Sequence, residues 1–213
     1  MSGGMKTLAI LSRKGGAGKT TLALHLAVQA VAGGRRVALV DMDPQRSAAD
    51  WWRSREADAP ELVEVEPGQL GAVVAAAKGA GVDLVVIDTR PSAEADALEA
   101  AQLADLALIV CRPTVLDLRA VAATVETVQS SGTPGLVVVN QAPPARGISE
   151  AAITREAVEA LRGYGLPLAQ TIVHARASFH AALIDGRAVL ELEPEGKAAH
   201  EIRALWAELE GSL

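Results

Sequence analysis

The sequence predicts an α/β fold, a mostly parallel twisted sheet with helices on both faces. Short apolar runs alternate with helix-length segments along the chain, which is typical of this class. A glycine-rich turn joins the first apolar run to an Ala/Leu-rich helical pattern. Half of the 213 residues are hydrophobic, which suffices for one full core but not for two large domains. We therefore expect a single domain, residues 1–213, with a flexible N-terminal arm at residues 1–5.

Glycine and proline mark the ends of the predicted helices between these strands. Gly33 and Gly34 end the first helix, and Gly132 with Pro134 ends the helix that starts near Asp117. Strands are expected near residues 7–11, 37–41, 62–65, 84–88, 106–111, 135–140 and 169–173.

The first strand–helix turn, residues 13–21, reads RKGGAGKTT and has the pattern of a phosphate-binding loop. Its glycines let backbone N–H groups turn inward, and the following helix adds its positive N-terminal end. Lys19 is placed to reach the β- and γ-phosphates, Thr20 to put a hydroxyl on Mg²⁺, and Thr21 to bind the α-phosphate. The predicted nucleotide-binding residues of this loop are Gly15, Gly16, Ala17, Gly18, Lys19, Thr20 and Thr21.

Two departures from the standard phosphate-binding loop indicate a particular group of P-loop proteins. Arg13 stands where the standard pattern has glycine, and an additional lysine, Lys14, precedes the glycines. The run from Lys14 to Thr20 resembles the deviant Walker A motif of the ParA/MinD group of P-loop ATPases. The resemblance implies ATP as the cofactor and a homodimer formed on ATP binding, in which Lys14 reaches the nucleotide of the other subunit. The alternative is an ordinary solvated loop lysine.

Residues 37–45 form an apolar strand that delivers two acidic residues at its C-terminal end, where ligands bind in open α/β sheets. This segment resembles the DxDPQ motif of the same family. The resemblance implies that Asp43 orients or polarises the attacking water and that Asp41 supports the Mg²⁺ and Thr20 side of the site. An Asp-Pro pair by itself would only begin a turn.

A second strand ends in Asp88 and resembles a Walker B element, whose aspartate holds Mg²⁺. The family usually continues with Thr-Pro-Pro, whereas this chain has Arg90 in the second of these positions. Arg90 is either a surface substitution, which we favour, or a cation near the phosphates that alters switching.

Two further segments resemble the family's short members. Asp117, in a Pro-x-x-x-Asp segment, is expected to meet Lys14 near the dimer interface or to act as the N-cap of the helix it begins, and both roles are compatible. Asn140 ends a strand where the family reads adenine, although such an asparagine often only forms a turn.

The chain from Thr171 onward resembles the C-terminal part of short single-domain ParA proteins, so the resemblance covers nearly the whole chain. It implies binding of nonspecific double-stranded DNA, a nucleoid-associated location in the cytoplasm, and a ParB-like or cargo-adaptor protein that stimulates hydrolysis. Single arginines are usually solvated surface residues, which is the competing interpretation. The DNA candidates are Arg176, Arg187, Lys197 and Arg203.

Composition sets limits on these functions. A net charge of −6 means that DNA binding would need a local basic patch, and three Trp, one Tyr and one Phe offer little for base stacking. No uncharged run reaches the roughly 18 residues of a membrane span, and Met1 to Lys6 lack a signal-peptide core. The single cysteine, Cys111, fits a reducing compartment. The four histidines lack zinc-ligand spacing.

These observations favour a ParA-like partition or positioning ATPase with slow intrinsic hydrolysis. One alternative is a MinD-like membrane switch that uses the last helix, about residues 195–210. Glutamates on that helix argue against an anionic lipid surface and for docking onto the domain, with Ile202, Leu205, Trp206 and Leu209 on one side. The other alternative is a P-loop metabolic enzyme, for which no additional substrate motif is evident. Trp51 and Trp52 are expected to pack in the core.

Overall fold

The computed structural model describes residues 4–91, 93–145 and 149–213. Residues 1–3 of the expected N-terminal arm lie outside the described residues, whereas Met5 already packs against the core. Within the described part, the strands are β1 (Lys6–Leu11), β2 (Val37–Asp41), β3 (Glu61–Glu64), β4 (Leu84–Asp88), β5 (Leu106–Cys111), β6 (Gly135–Ala142) and β7 (Leu168–His174). The helices are α1 (Lys19–Ala32), α2 (Ser47–Arg53), α3 (Leu70–Gly79), α4 (Glu94–Leu103), α5 (Val115–Ser131), α6 (Ala152–Arg162), α7 (Ala177–Leu183), α8 (Val189–Leu192) and α9 (Lys197–Glu210).

The described strands form one sheet in the order β3-β2-β4-β1-β5-β6-β7, and every neighbouring pair is parallel. The predicted fold class is therefore confirmed. Because β1 lies between β4 and β5, the chain crosses to opposite sides of β1, and a crevice opens at the C-terminal ends of the strands. The glycine-rich loop leaves β1 at this crevice.

Two hydrophobic clusters flank the sheet, because successive side chains of a strand point to opposite faces. Leu8 and Ile10 of β1 belong to the cluster shared with α1 and α9, whereas Ala9 and Leu11 belong to the cluster on the side of α4 and α5. Both faces are buried, which explains why the strands read as continuous apolar runs instead of alternating with polar residues.

Helix α9 packs onto the domain, as predicted. Ile202, Leu205 and Leu209 are fully buried, and the helix contacts α1, α8 and β7. One of its acidic side chains also supports the sheet, because Glu208 accepts hydrogen bonds from the backbone N–H groups of Gln170 and Thr171, both at 2.8 Å. These N–H groups belong to β7, the last strand of the sheet, so α9 satisfies part of an exposed strand edge.

The helix ends follow the predicted glycines, with one correction at a helix start. Gly132 has a positive φ of 74° at the C-cap of α5. Asp117, however, is not the N-cap of α5. Thr114 takes that position in extended backbone conformation, and its side chain accepts from the Asp117 N–H. Asp117 instead lies in the first turn of the helix, where a carboxylate is also favoured by the helix dipole.

Candidate nucleotide and metal site

The loop after β1 has the backbone shape that its glycines predict. Gly16 and Gly18 have φ values of 75° and 94°, a region that side chains disfavour. Gly18 has a second constraint, because a Cβ on it would lie 2.3 Å from Nδ2 of Asn140. Gly18 is also the N-cap of α1 and offers no side-chain cap, which leaves the first N–H groups of α1 available to an anion.

Two side chains of β6 brace this loop from outside. Asn140 donates to the Ala17 carbonyl at 2.8 Å, and Gln141 donates to the Gly16 carbonyl at 3.1 Å. Gln141 has a φ of 53°, which is uncommon for a residue with a side chain. This role of Gln141 could not be predicted from sequence, since no short motif marks a side chain that binds loop carbonyls.

Three acidic residues reach the same edge of the sheet from two neighbouring strands. Asp88 pairs with Ile10 across β4 and β1 and with Asp41 across β4 and β2. Asp43 lies just beyond the end of β2, half-buried, and accepts from the Gln45 N–H at 2.9 Å. The predicted carboxylates therefore converge next to the glycine-rich loop.

Asp88 is fully buried, and neither of its carboxylate oxygens forms a hydrogen bond of good geometry with the described residues. Burial and the charges of Asp41 and Asp43 together raise the pKa of Asp88 to about 7, against the opposing effects of the nearby Thr20 hydroxyl and Lys19. A buried carboxylate left without partners fits a cation, because charge and coordination would compensate for its lost hydration.

Asp41, in contrast to Asp88, has hydrogen-bond partners for its carboxylate oxygens. Its oxygens accept from the backbone N–H groups of Asp43, at 3.0 Å, and Ala49, at 3.1 Å. Burial raises the pKa of Asp41, while these two hydrogen bonds and Arg46 oppose the shift. Asp41 thus fixes the turn after β2 and the start of α2.

Lys19 is 6% exposed, and burial lowers the pKa of its ammonium, against the opposing charges of Asp88 and Asp43.

Lys14 lies on the outer part of the loop, half-buried, and among the described residues its ammonium has no ion-pair partner. Asp117 does not meet Lys14 within the chain, since its carboxylate binds Arg112 and Thr114. The predicted contact between Lys14 and a second subunit stays a prediction.

A cavity of about 290 Å³ continues from the loop past Thr21 and Asn140. Its far side is formed by the segment after β7, including Arg176, Phe179 and His180. The edge of His25 packs against the ring of Phe179, with centroids 5.1 Å apart. Asn140 lies on the wall of this cavity, and its predicted contact with adenine stays a prediction.

The four DNA candidates all follow β7 in the chain. Arg176 lies on this cavity wall and binds Glu201, Arg187 pairs with Asp185, and Arg203 donates to the Pro194 carbonyl. Lys197 begins α9 and is exposed. Because Glu201 belongs to α9, Arg176 lies against the helix that also carries Lys197 and Arg203.

Arg90 and the two tryptophans contact neighbouring residues within the domain. Arg90 is partly buried and forms an ion pair with Asp96 at the start of α4. Trp51 is 3% exposed and Trp52 packs against the same core, so the predicted core packing of both is confirmed.

Across the described residues, no group of three or more His, Cys, Asp or Glu side chains is arranged to hold a metal ion.

Comparisons with known proteins show the family to which this chain belongs. A family model described as the CobQ/CobB/MinD/ParA nucleotide binding domain matches residues 8–189. The chain is similar to the maintenance of carboxysome distribution protein A of Gloeobacter kilaueensis, with 35% identity over 93% of this chain and 89% of that protein. The protein of that name from Halothiobacillus neapolitanus is 34% identical over 95% of each chain.

The fold is also that of a solved structure, an ATP complex of McdA from Cyanothece. The two chains superpose with a TM-score of 0.76 over 98% of each, at 19% identity. None of the helices in the described part of the chain combines the length and the apolar character that a membrane span requires.

Proposed function

This chain belongs to the CobQ/CobB/MinD/ParA family of nucleotide-binding domains, and we propose that it is an ATP-driven positioning ATPase. In the proposed cycle, ATP binding joins two copies face to face, and the dimer binds nonspecific double-stranded DNA. Hydrolysis is slow until a ParB-like or cargo-adaptor protein stimulates it, and the dimer then leaves the DNA. The observation that carries this proposal is the convergence of the loop, buried Lys19 and buried Asp88 at one edge of the sheet.

The chain's own residues have separable roles in this cycle. The loop N–H groups and Lys19 bind the phosphates, and the cavity beside Asn140 and Phe179 accepts the adenine. Asp88 and the Thr20 hydroxyl would hold Mg²⁺, which neutralises charge on the β- and γ-phosphates when bound. Asp43, half-buried at the entrance of the site, orients the attacking water.

Dimer formation is supported by the surface around the loop. Arg112 lies beside the loop, since its Nη1 is 3.8 Å from the position of a Cβ on Gly16. The helix that follows, α5, exposes Val115 and Leu116 at 62% and 63% in its first turn. Two large exposed apolar side chains, which follow Arg112 closely in the chain, suit a contact with a second copy that brings Lys14 to the partner's nucleotide.

The similarity to carboxysome distribution proteins favours a protein assembly as the cargo. Two such proteins match 93% and 95% of this chain, so the similarity includes the loop, the carboxylates and the C-terminal segment. We propose that the partner is an adaptor on a large protein assembly, with a plasmid or chromosomal centromere complex as the alternative cargo.

The DNA step is tested by retention of the protein on nonspecific duplex DNA at one stated low salt concentration. Wild type and Asp43→Ala are compared with ATP, with ADP and without nucleotide. We expect retention only with ATP, and stronger retention for Asp43→Ala, because its dimer is not dissolved by hydrolysis. Lys197→Ala should reduce the salt slope by about 1, whereas Lys78→Ala, an exposed lysine on α3, serves as the matched control.

Retention that is equal in all nucleotide states would contradict an ATP-controlled DNA step. Absence of retention in every state, with dimers still formed, would remove DNA from the cycle. In that case the MinD-like membrane switch becomes the leading hypothesis, and anionic liposomes replace DNA in the same comparison.

A further inference from the structure

Arg55, just after α2, is held by several polar partners at once. Its side chain is only 4% exposed. Nε donates to the Ala59 carbonyl at 2.7 Å, and Nη1 donates to the Gly186 carbonyl at 2.8 Å. Both Nη atoms also bind the Glu191 carboxylate, at 2.8 and 2.6 Å. The Glu191 side chain is 33% exposed, but a bidentate pair with a buried arginine still fixes geometry better than a fully exposed ion pair does.

The backbone around this arginine fits closely against residues 184–191. Gly186 has a φ of 72°, and a Cβ on it would lie 2.4 Å from the N and Cα atoms of Arg55. The Arg55 guanidinium lies 5.1 Å from the centre of the Trp51 ring, and the Trp51 indole donates to the Arg187 carbonyl at 3.1 Å. Residues 51–55 and 184–191 are therefore joined by a bidentate, partly buried ion pair and two hydrogen bonds to backbone carbonyls, and a cation–π contact orients the arginine.

The other end of α2 is fixed to the candidate site. Asp41 accepts from the Ala49 N–H in the first turn of α2 and from the Asp43 N–H. A change in the position of Asp43 therefore acts on the start of α2, while Arg55 holds the end of α2 to residues 184–191. This segment carries Ile184, which is 82% exposed, and Arg187, whose side chain is 45% exposed.

We infer that Arg55 is a positioning residue that makes α2 and residues 184–191 open and move as one unit. The Asp43 turn and the exposed surface at Ile184 and Arg187 are thereby coupled. This coupling of two segments is a property of the fold. Its use to report the nucleotide state at that surface rests on the proposed function.

Hydrogen exchange of the nucleotide-free protein tests the coupling without any ligand. In wild type, amides of residues 47–55 and 184–191 should exchange with the same opening free energy, as a single cooperative unit does. Arg55→Gln should accelerate exchange in 184–191 by at least about 10-fold relative to 47–55, because the bidentate ion pair is lost.

Arg35→Gln is the matched control. Its guanidinium lies 5.3 Å from the Trp206 ring centre and binds Glu210 at 2.7 Å, so it makes the same kinds of contact away from α2. This variant should leave the two segments matched. If Arg55→Gln does not fold, Arg55→Lys replaces it, since one ammonium cannot form the bidentate pair.

Unequal opening of the two segments in wild type would overturn the inference, as would matched opening in the Arg55 variant. A second comparison adds ATP or ADP. We expect ATP to slow exchange in residues 13–21 of both proteins but to alter 184–191 only in wild type. Absence of protection at 13–21 in wild type would refute ATP binding, and the coupling would still be decided by the nucleotide-free result.

Discussion

Asp41 and Asp88 occupy paired positions on β2 and β4, yet their carboxylates have opposite surroundings. Asp41 accepts hydrogen bonds from two backbone N–H groups, whereas neither oxygen of Asp88 forms a hydrogen bond of good geometry with the described residues. The first carboxylate holds the fold of the loop after β2, and the second is left for a ligand. Buried charge without partners costs stability, so Asp88 is expected to lower stability while serving the site.

Asp88→Asn should therefore stabilise the nucleotide-free protein at alkaline pH. The pKa of Asp88 is raised from 3.8 to about 7 in the folded state. The folding stability that depends on its neutral carboxyl group is therefore complete below pH 3.8 and is lost as the pH rises towards 7. The asparagine variant cannot ionise, and it should gain about 2 kcal/mol more over wild type at pH 8 than at pH 5. Thermal unfolding at the two pH values measures this difference, and a gain of the same size at both would contradict it. ATP hydrolysis should be lost in the variant.

Gly18→Ala should weaken nucleotide binding strongly. The substitution requires a positive φ of 94° and places a Cβ 2.3 Å from Nδ2 of Asn140, so the loop and its brace must shift apart. Gly68→Ala is the matched control, because Gly68 has a φ of 79° with open space around it. The control should lose about 1 kcal/mol of stability from backbone strain, with ATP affinity unchanged. Titration of a fluorescent ATP analogue compares the two, and equal affinities would show that the contact with Asn140 is unimportant.

His25 should make the protein sensitive to acid. It is fully buried, and burial lowers its pKa from 6.5 to about 4, with a hydrogen bond to the Thr21 carbonyl opposing the shift. Stability attributable to the neutral ring is complete above pH 6.5 and is lost as the pH falls towards 4, by about 3 kcal/mol in all. Urea unfolding of His25→Leu should show a smaller decrease between pH 7 and pH 4.5 than wild type. The exposed His200, changed to asparagine, is the control, and an unaltered pH profile in His25→Leu would refute the account.

Glu208→Gln should loosen the C-terminal helix from the sheet. Glu208 accepts two backbone N–H groups and the Thr171 hydroxyl, whereas Glu210 on the same helix makes a partly exposed pair with Arg35. Loss of the charge-assisted bonds should cost about 1 to 2 kcal/mol, and Glu210→Gln well under about 1 kcal/mol. Urea unfolding gives both values, and equal costs would mean that α9 is held by its apolar face alone.

Most of the fold could be predicted because its signals are local. The apolar runs predicted all seven strands of the described sheet, and Gly132 predicted the end of α5, since a helix end depends on nearby backbone conformation. The start of α5 was assigned wrongly to Asp117. Thr114 competes for the same role, and its extended backbone cannot be read from residue type alone.

The glycine-rich loop and the carboxylates were also accessible from sequence, because a strand end places each of them at the same edge of the sheet. The long-range contacts that hold this loop and α2 in place could not be predicted from sequence. Gln141 reaches Gly16, and Arg55 reaches Gly186 and Glu191, across more than a hundred residues of chain. Such contacts depend on the packing of distant segments, and no residue pattern near Gln141 or Arg55 indicates them.

An ATP-controlled dimer is tested by the mass of the protein in solution. Asp43→Ala, alone and combined with Lys14→Ala, is measured by light scattering with saturating ATP and Mg²⁺, with ADP, and without nucleotide. We expect a dimer for Asp43→Ala only with ATP, and a monomer under every condition once Lys14 is also replaced, with ATP still bound. A monomeric Asp43→Ala protein at saturating ATP would contradict the account, as would a dimer that persists without nucleotide or without Lys14.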